Sequence, residues 1–182
     1  LAWNLVGRGT NSPGYLLFRV QDRHRYNTIA PSALFPRAGS IWPTTIGYNE
    51  FDLSVLNLSW QQHFVENRFG IQVGKMIPFA NHDYFRYKSP FDGFNEATLT
   101  LNPTIAYAPT ALGIAGSLRP FESLYLNAGL YDANGKPQSA GFDTFFDTKE
   151  YLTMVDVGWD PGFLTPADAV YLGDLKISDI HA

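Results

Sequence analysis

Residues 123–131, Ser-Leu-Tyr-Leu-Asn-Ala-Gly-Leu-Tyr, are apolar at every even position and small, polar or tyrosine at every odd one. A period of two marks a β-strand with one apolar and one mixed face. The same pattern predicts strands over residues 1–7, 14–26, 51–62, 68–77, 111–119, 122–131, 148–159 and 169–181. Most come near the roughly nine to eleven residues with which a tilted strand crosses a bilayer. The connections alternate in kind. Residues 8–13, 63–67, 120–121 and 160–168 are short or turn-like and rich in Gly, Pro, Asn and Asp, whereas 27–50, 78–110 and 132–147 are long. Outer-membrane barrels show this asymmetry between short periplasmic turns and longer outer loops.

Residues 96–107, Glu-Ala-Thr-Leu-Thr-Leu-Asn-Pro-Thr-Ile-Ala-Tyr, also pass for a strand. Placing them inside the 78–110 excursion preserves the alternation, so they are expected there. A loop of that length is usually functional, and its expected role is to fold inward and narrow the lumen.

Alternation also assigns faces. Leu16, Phe18 and Val20 point outward and turn Arg19, Gln21 and Arg23 inward; Phe69, Ile71 and Val73 oppose Gly70, Gln72 and Gly74. Leu112, Ile114 and Leu118 oppose Gly113, Ser117 and Arg119, and Leu124, Leu126, Ala128 and Leu130 oppose Tyr125, Asn127 and Tyr131. Tyr151, Val155, Val157 and Trp159 point outward with Asp156 inside, and Lys176 faces inward with Asp174. A charge at mid-bilayer on the lipid side costs roughly 2–4 kcal/mol, which favours this phase. Strand 51–62 is less regular, with Leu56, Leu58 and Trp60 on one face but Leu53 and Val55 on the other. Lys75 shares the parity of Val73, so it either snorkels at the strand end or follows a bulge inward.

Composition agrees. Charged residues are 16% of the chain, against about a quarter in ordinary soluble domains, while aromatics reach 15%. A net charge of -4 without a Lys/Arg run argues against nucleic acid. The absence of cysteine excludes disulfide and thiolate–zinc scaffolds. No apolar run is long enough for a transmembrane helix. The fold expected is all-β: an antiparallel up-and-down transmembrane barrel segment of about eight strands, with long outer loops and no separate domains within 1–182.

Four runs stand out: Pro-Gly-Tyr-Leu-Leu-Phe-Arg-Val-Gln-Asp-Arg-His-Arg at 13–25, Gln-Val-Gly-Lys at 72–75, Arg-Pro-Phe-Glu-Ser-Leu-Tyr-Leu-Asn-Ala-Gly-Leu-Tyr-Asp-Ala-Asn-Gly at 119–135 and Gly-Phe-Asp-Thr-Phe-Phe-Asp at 141–147. In order and rough spacing they resemble the carbohydrate-selective porin family (OprB type) of Gram-negative outer membranes. The resemblance implies a monomeric barrel of roughly twice this strand number, passing sugars by facilitated diffusion, with inward loops forming a constriction. The chain is accordingly expected to be a segment of a longer porin.

A sugar path needs hydrogen-bonding groups and aromatic faces around water, with binding weak enough for release. Wall candidates are Arg19, Arg23, Gln72, Arg119, Tyr125, Asn127, Asp156 and Lys176. Constriction candidates are Asp83, Tyr84, Phe85, Arg86, Lys88, Asp92, Phe94 and Glu96. The competing reading of the wall charges is a mutually paired network that stiffens the sheet. Partners expected are small sugars and outer-membrane lipid, with no cofactor. The alternative is a soluble β-sandwich that binds carbohydrate. An enzyme is not expected: Asp143, Asp147 and Glu150 read as a solvated loop with a helical turn at 142–147, and His24, His63, His82 and His181 lack metal-ligand spacing.

Overall fold

The alternating stretches pair into one sheet. The structure, a computed structural model, describes residues 1–26, 29–30, 33–40, 50–78, 108–121 and 123–159, with only the backbone of Phe51. Its strands are β1 (Ala2–Val6), β2 (Gly14–Arg23), β3 (Phe51–Phe64), β4 (Phe69–Met76), β5 (Ala111–Phe121), β6 (Leu124–Asp132) and β7 (Tyr151–Trp159). They lie side by side in sequence order as an antiparallel up-and-down sheet that is not closed into a barrel. This order puts the ends of β1, β3 and β5, each followed by a short connection, at one end of the sheet and the ends of β2, β4 and β6, each followed by a long one, at the other. The expected eighth strand at 169–181 and the stretch 96–107 fall outside the described residues.

Two compact units are distinguished: residues 1–19 with 55–82 and 107–182, and residues 20–54 with 83–106. In the second unit, an exposed Arg25–Glu50 ion pair (3.4 Å) joins the chain just after β2 to the residue preceding β3. A turn around Leu34–Gly39 is closed by Gly39 at φ 73°, where a side chain would be strained.

Several expected boundaries change: β2 stops at Arg23 rather than 26, β7 starts at Tyr151 rather than 148, and three further differences have local causes. β3 runs on to Phe64, which pairs and stacks with Phe69 (5.7 Å between rings), because Ser59, Gln61 and His63 keep alternating beyond residue 62. The turn expected at 120–121 is instead the end of β5. Phe121 pairs with Leu124, and Pro120, which has no N–H for the ladder, sits in the register shift between Leu118 and Phe121. The helical turn expected at 142–147 is present as a π-helical turn at Thr144–Thr148, ended by Lys149 at φ 57°.

Burial along the sheet is the reverse of an ordinary domain. From Leu58 onward the apolar parity is the exposed one, with Val155, Val157 and Trp159 at 62%, 68% and 72%. Polar Gln72, Asn127 and His63, by contrast, are 3%, 2% and 1% exposed. A modest cluster of Met76, Ala108, Ala111, Ala115, Tyr131 and Met154 lies toward the long-connection end, its strand members on the polar parity. β3 changes phase midway. Leu53 is exposed while Ser54 and Leu56 are buried, and after Asn57 the exposed parity passes to Leu58. Leu56, expected on the same face as Leu58 and Trp60, is therefore covered while Leu58 is exposed; its carbonyl accepts the Thr110 hydroxyl at 2.8 Å.

Candidate functional site: the polar face of β3–β7

Register across five strands lines up the side chains of this face in rows. One row is His63, Gly70, Ser117, Asn127 and Asp156; the next is Gln61, Gln72, Ala115, Gly129 and Met154; the third is Ser59, Gly74, Gly113, Tyr131 and Leu152. The expected inward residues Gln72, Tyr125, Asn127 and Asp156 all lie on this face, with Tyr125 opposite Gly158. Gln72 donates to the Ser59 hydroxyl (2.8 Å), which donates to Asn57 Oδ1 (2.7 Å), a polar relay running from β4 into β3. His63 meets Tyr15 edge to face at 6.2 Å.

The glycines of the face make room for large rings. Tyr131 is wholly buried, and its ring occupies the space where a Cβ on Gly129 or Gly113 would stand; the Tyr125 ring does the same over Gly158. Two tyrosines thus lie flat along the sheet wall, an arrangement that shields bare glycine backbone. Asn127 is 2% exposed, and neither its Oδ1 nor its Nδ2 has a hydrogen-bond partner. Such a group is costly to leave unsatisfied, by roughly 1–3 kcal/mol, so it marks a place where a water or hydroxyl belongs.

Of the remaining wall candidates, Arg19 is exposed and shares its parity with the buried Tyr15 and Leu17. Arg23 is half-buried near the end of β2. Arg119 sits in the β5 irregularity, its N–H donating to the Arg68 carbonyl at 2.7 Å. Lys176 and the constriction candidates Asp83, Tyr84, Phe85, Arg86, Lys88, Asp92, Phe94 and Glu96 lie outside the described residues. His63, Gln61 and Ser59 were missed as face residues, although the period of two running through Phe64 carries them.

The opposite face is apolar and in register too: Phe64–Phe69–Leu118–Leu126–Val157, Trp60–Val73–Ile114–Leu130–Thr153 and Phe121–Leu124–Trp159. Apart from the exposed Thr153, its polar members from Leu58 onward are satisfied locally. Gln62 donates to the Ser12 and His63 carbonyls, each at 3.1 Å. Asp132 accepts the Asn134 N–H (2.9 Å) and the Thr144 hydroxyl. Lys75 keeps the outward parity with no register shift, and neither snorkelling nor a bulge describes it. Connection 133–150 covers it, and its Nζ donates to the carbonyls of Pro137 (2.7 Å) and Ser139. The long connection therefore comes down over the apolar side of the sheet end, where Gly141 also meets Leu112.

Of the carboxylates weighed for hydrolysis, Glu150 is tied to Asn134 Nδ2 at 2.7 Å, and Asp143 and Asp147 are exposed. Among the described residues, no three His, Cys, Asp or Glu side chains are grouped to hold a metal ion. No family model, curated protein or solved structure matches the chain.

Proposed function

We propose that this sheet is part of the wall of an outer-membrane β-barrel pore, and that its polar face lines a water-filled path for small sugars. The inverted burial carries the reading. Each Leu or Val left in water forgoes roughly 1.5–3 kcal/mol of burial, and here Leu58, Val73, Ile114, Leu118, Leu126, Val155 and Val157 are exposed across five consecutive strands. A continuous face of that extent fits hydrocarbon. A soluble sandwich would cover it with a second sheet. The strand lengths suit a crossing: β2 has 10 residues, β5 has 11, and β6 and β7 have 9 each. Aromatic Phe64, Phe69, Phe121 and Trp159 gather at the short-turn end of the apolar face, as an interfacial girdle would.

On this reading the half-buried Asp156 offers hydrogen bonds to solute hydroxyls and Tyr125 a ring face, the buried Gln72 and Asn127 form the wall behind them, and Arg19, Arg23 and Arg119 add positive charge along it. Lys176 and the 83–96 group are proposed to contribute in the same way. Selectivity then comes from lining groups and diameter, without covalent chemistry or a cofactor. The test is liposome swelling by the full-length protein with a monosaccharide and with a salt of similar size. Faster entry of the sugar is expected; equal rates would leave a general pore, and no swelling would remove the transport role.

A further inference from the structure

We infer that connection 133–150 is a membrane-interface anchor, in which Phe142 and Phe146 seat in the headgroup region of the bilayer on the long-connection side. This rests on the membrane reading above. The connection is held on the apolar side by Lys75 Nζ to the Pro137 carbonyl and by Thr144 to Asp132, and Lys75 and Asp132 both have outward parity. From that position it presents two exposed rings, Phe142 (61%) and Phe146 (57%), stacked 6.5 Å apart with planes 5° from parallel.

The rings are continuous with the exposed column of β7. Phe146 meets Phe145 at 5.0 Å, Phe145 meets Tyr151 at 5.2 Å, and the Tyr151 hydroxyl donates to the Phe145 carbonyl at 3.0 Å. Below Tyr151 the column continues through Thr153, Val155 and Val157 to Trp159. Nine residues of β7 make eight steps of about 3.3 Å, so the column is roughly 26 Å long and about 20 Å tall once tilted. An apolar band of a transmembrane barrel is about 25 Å tall. The column thus spans most of that band, and the Phe pair adjoins its Tyr151 end through Phe145, where an interfacial girdle flanks the band. The pair's neighbours Asp143, Asp147, Lys149 and Glu150 are exposed, which matches the mixed ring-and-charge chemistry of a bilayer interface rather than its core.

Residues 1–182 contain no cysteine, so single cysteines placed among them report depth once any cysteine elsewhere in the full-length protein is changed to serine. Bimane is attached at Phe142→Cys, Phe146→Cys, Lys136→Cys and Val157→Cys in the full-length protein, reconstituted in phosphatidylcholine vesicles. Quenching is read with lipids brominated near the headgroup, with lipids brominated deep in the chain, and with aqueous iodide. The expected result is fluorescence loss at 142 and 146 with shallow bromines, at 157 with deep bromines, and at 136 with iodide only. If 157 responds to lipid while 142 and 146 respond only to iodide, the anchor is overturned and the membrane reading stands. Should 157 respond to no lipid, both fall. Shielding of 142 and 146 that appears only at high protein-to-lipid ratio identifies a second copy as the occupant and also overturns the anchor.

Discussion

Tyr131 and Lys75 show how single residues hold this sheet. Tyr131 is fully buried because Gly129 and Gly113 leave its ring a flat bed. Gly129→Val puts branched carbon into that ring, and overpacking of this kind costs about 1–3 kcal/mol. The expected outcome is a lower unfolding midpoint in urea, partly restored by a second change, Tyr131→Ala, that removes the clash; no restoration would mean that the ring is not the obstacle. Lys75 binds two carbonyls of the 133–150 connection. Lys75→Met keeps the stem but orphans those acceptors, at a cost of about 1.5–3 kcal/mol for charge-assisted bonds. Faster proteolysis within residues 133–150 is expected, with the strands still folded; an unchanged cleavage rate would contradict the lock. Neither arrangement was legible in the sequence. Alternation reports the parity of Lys75, but its cover comes from residues more than sixty positions away. The tyrosine beds depend on register, which pairs Gly113 with Tyr131 and Gly158 with Tyr125.

At the scale of elements, β4, β6, β7 and β5 as far as Leu118 were readable because their sequence keeps a period of two, and Leu126, Asn127, Ala128 and Gly129 alternate as expected between exposed and buried. β3 was harder because its phase changes at Asn57, which is why Leu53 and Leu58 are both exposed despite opposite parity. The β5 end was misjudged because Pro120 signals a turn locally, while the ladder resumes at Phe121 and Leu124. The β3–β4 turn holds a different surprise. Val65, Glu66 and Asn67 are all left-handed, at φ 49°, 56° and 65°, a region that costs an L-residue roughly 1–2 kcal/mol. A β-branched residue is poorly suited there, so Val65→Gly should stabilise the protein by about 1 kcal/mol, read as a raised denaturation midpoint; a lowered midpoint would refute the strain. The two faces of β7 separate equally cleanly. Val155→Lys, on the proposed lipid side, is expected to lose roughly 2–4 kcal/mol. Gly158→Lys is no fair control, because Tyr125 fills that place. Asp156→Lys on the polar side should fold and shift ion preference in planar bilayers toward anions. Equal damage from Val155→Lys and Asp156→Lys would erase the distinction between the faces.

The whole molecule poses a problem that no residue or strand contains. Its described strands form an ordered row from β1 to β7 that does not close. An edge strand in hydrocarbon leaves alternate N–H and C=O groups without partners, and each such group costs several kcal/mol away from water. On the proposed reading the exposed apolar residues face hydrocarbon, while an open edge cannot survive in it. The two demands are reconciled only if β1 and β7 acquire strand neighbours in the working protein, whether from further residues of the same chain or from another copy. Hydrogen exchange of the full-length protein in bilayers separates the possibilities. Within an open sheet, amides of β4, β5 and β6 exchange slowly because both neighbours hold them, while the outward amides of β1 and β7 exchange within the mixing time. In a closed wall, β1 and β7 are as protected as β5. The pore reading requires the second pattern, with protection at β7 surviving dilution of protein in lipid if closure is intramolecular. Rapid exchange at both β1 and β7 in lipid would leave the edges bare, and the apolar face would then have to be covered by something other than a membrane.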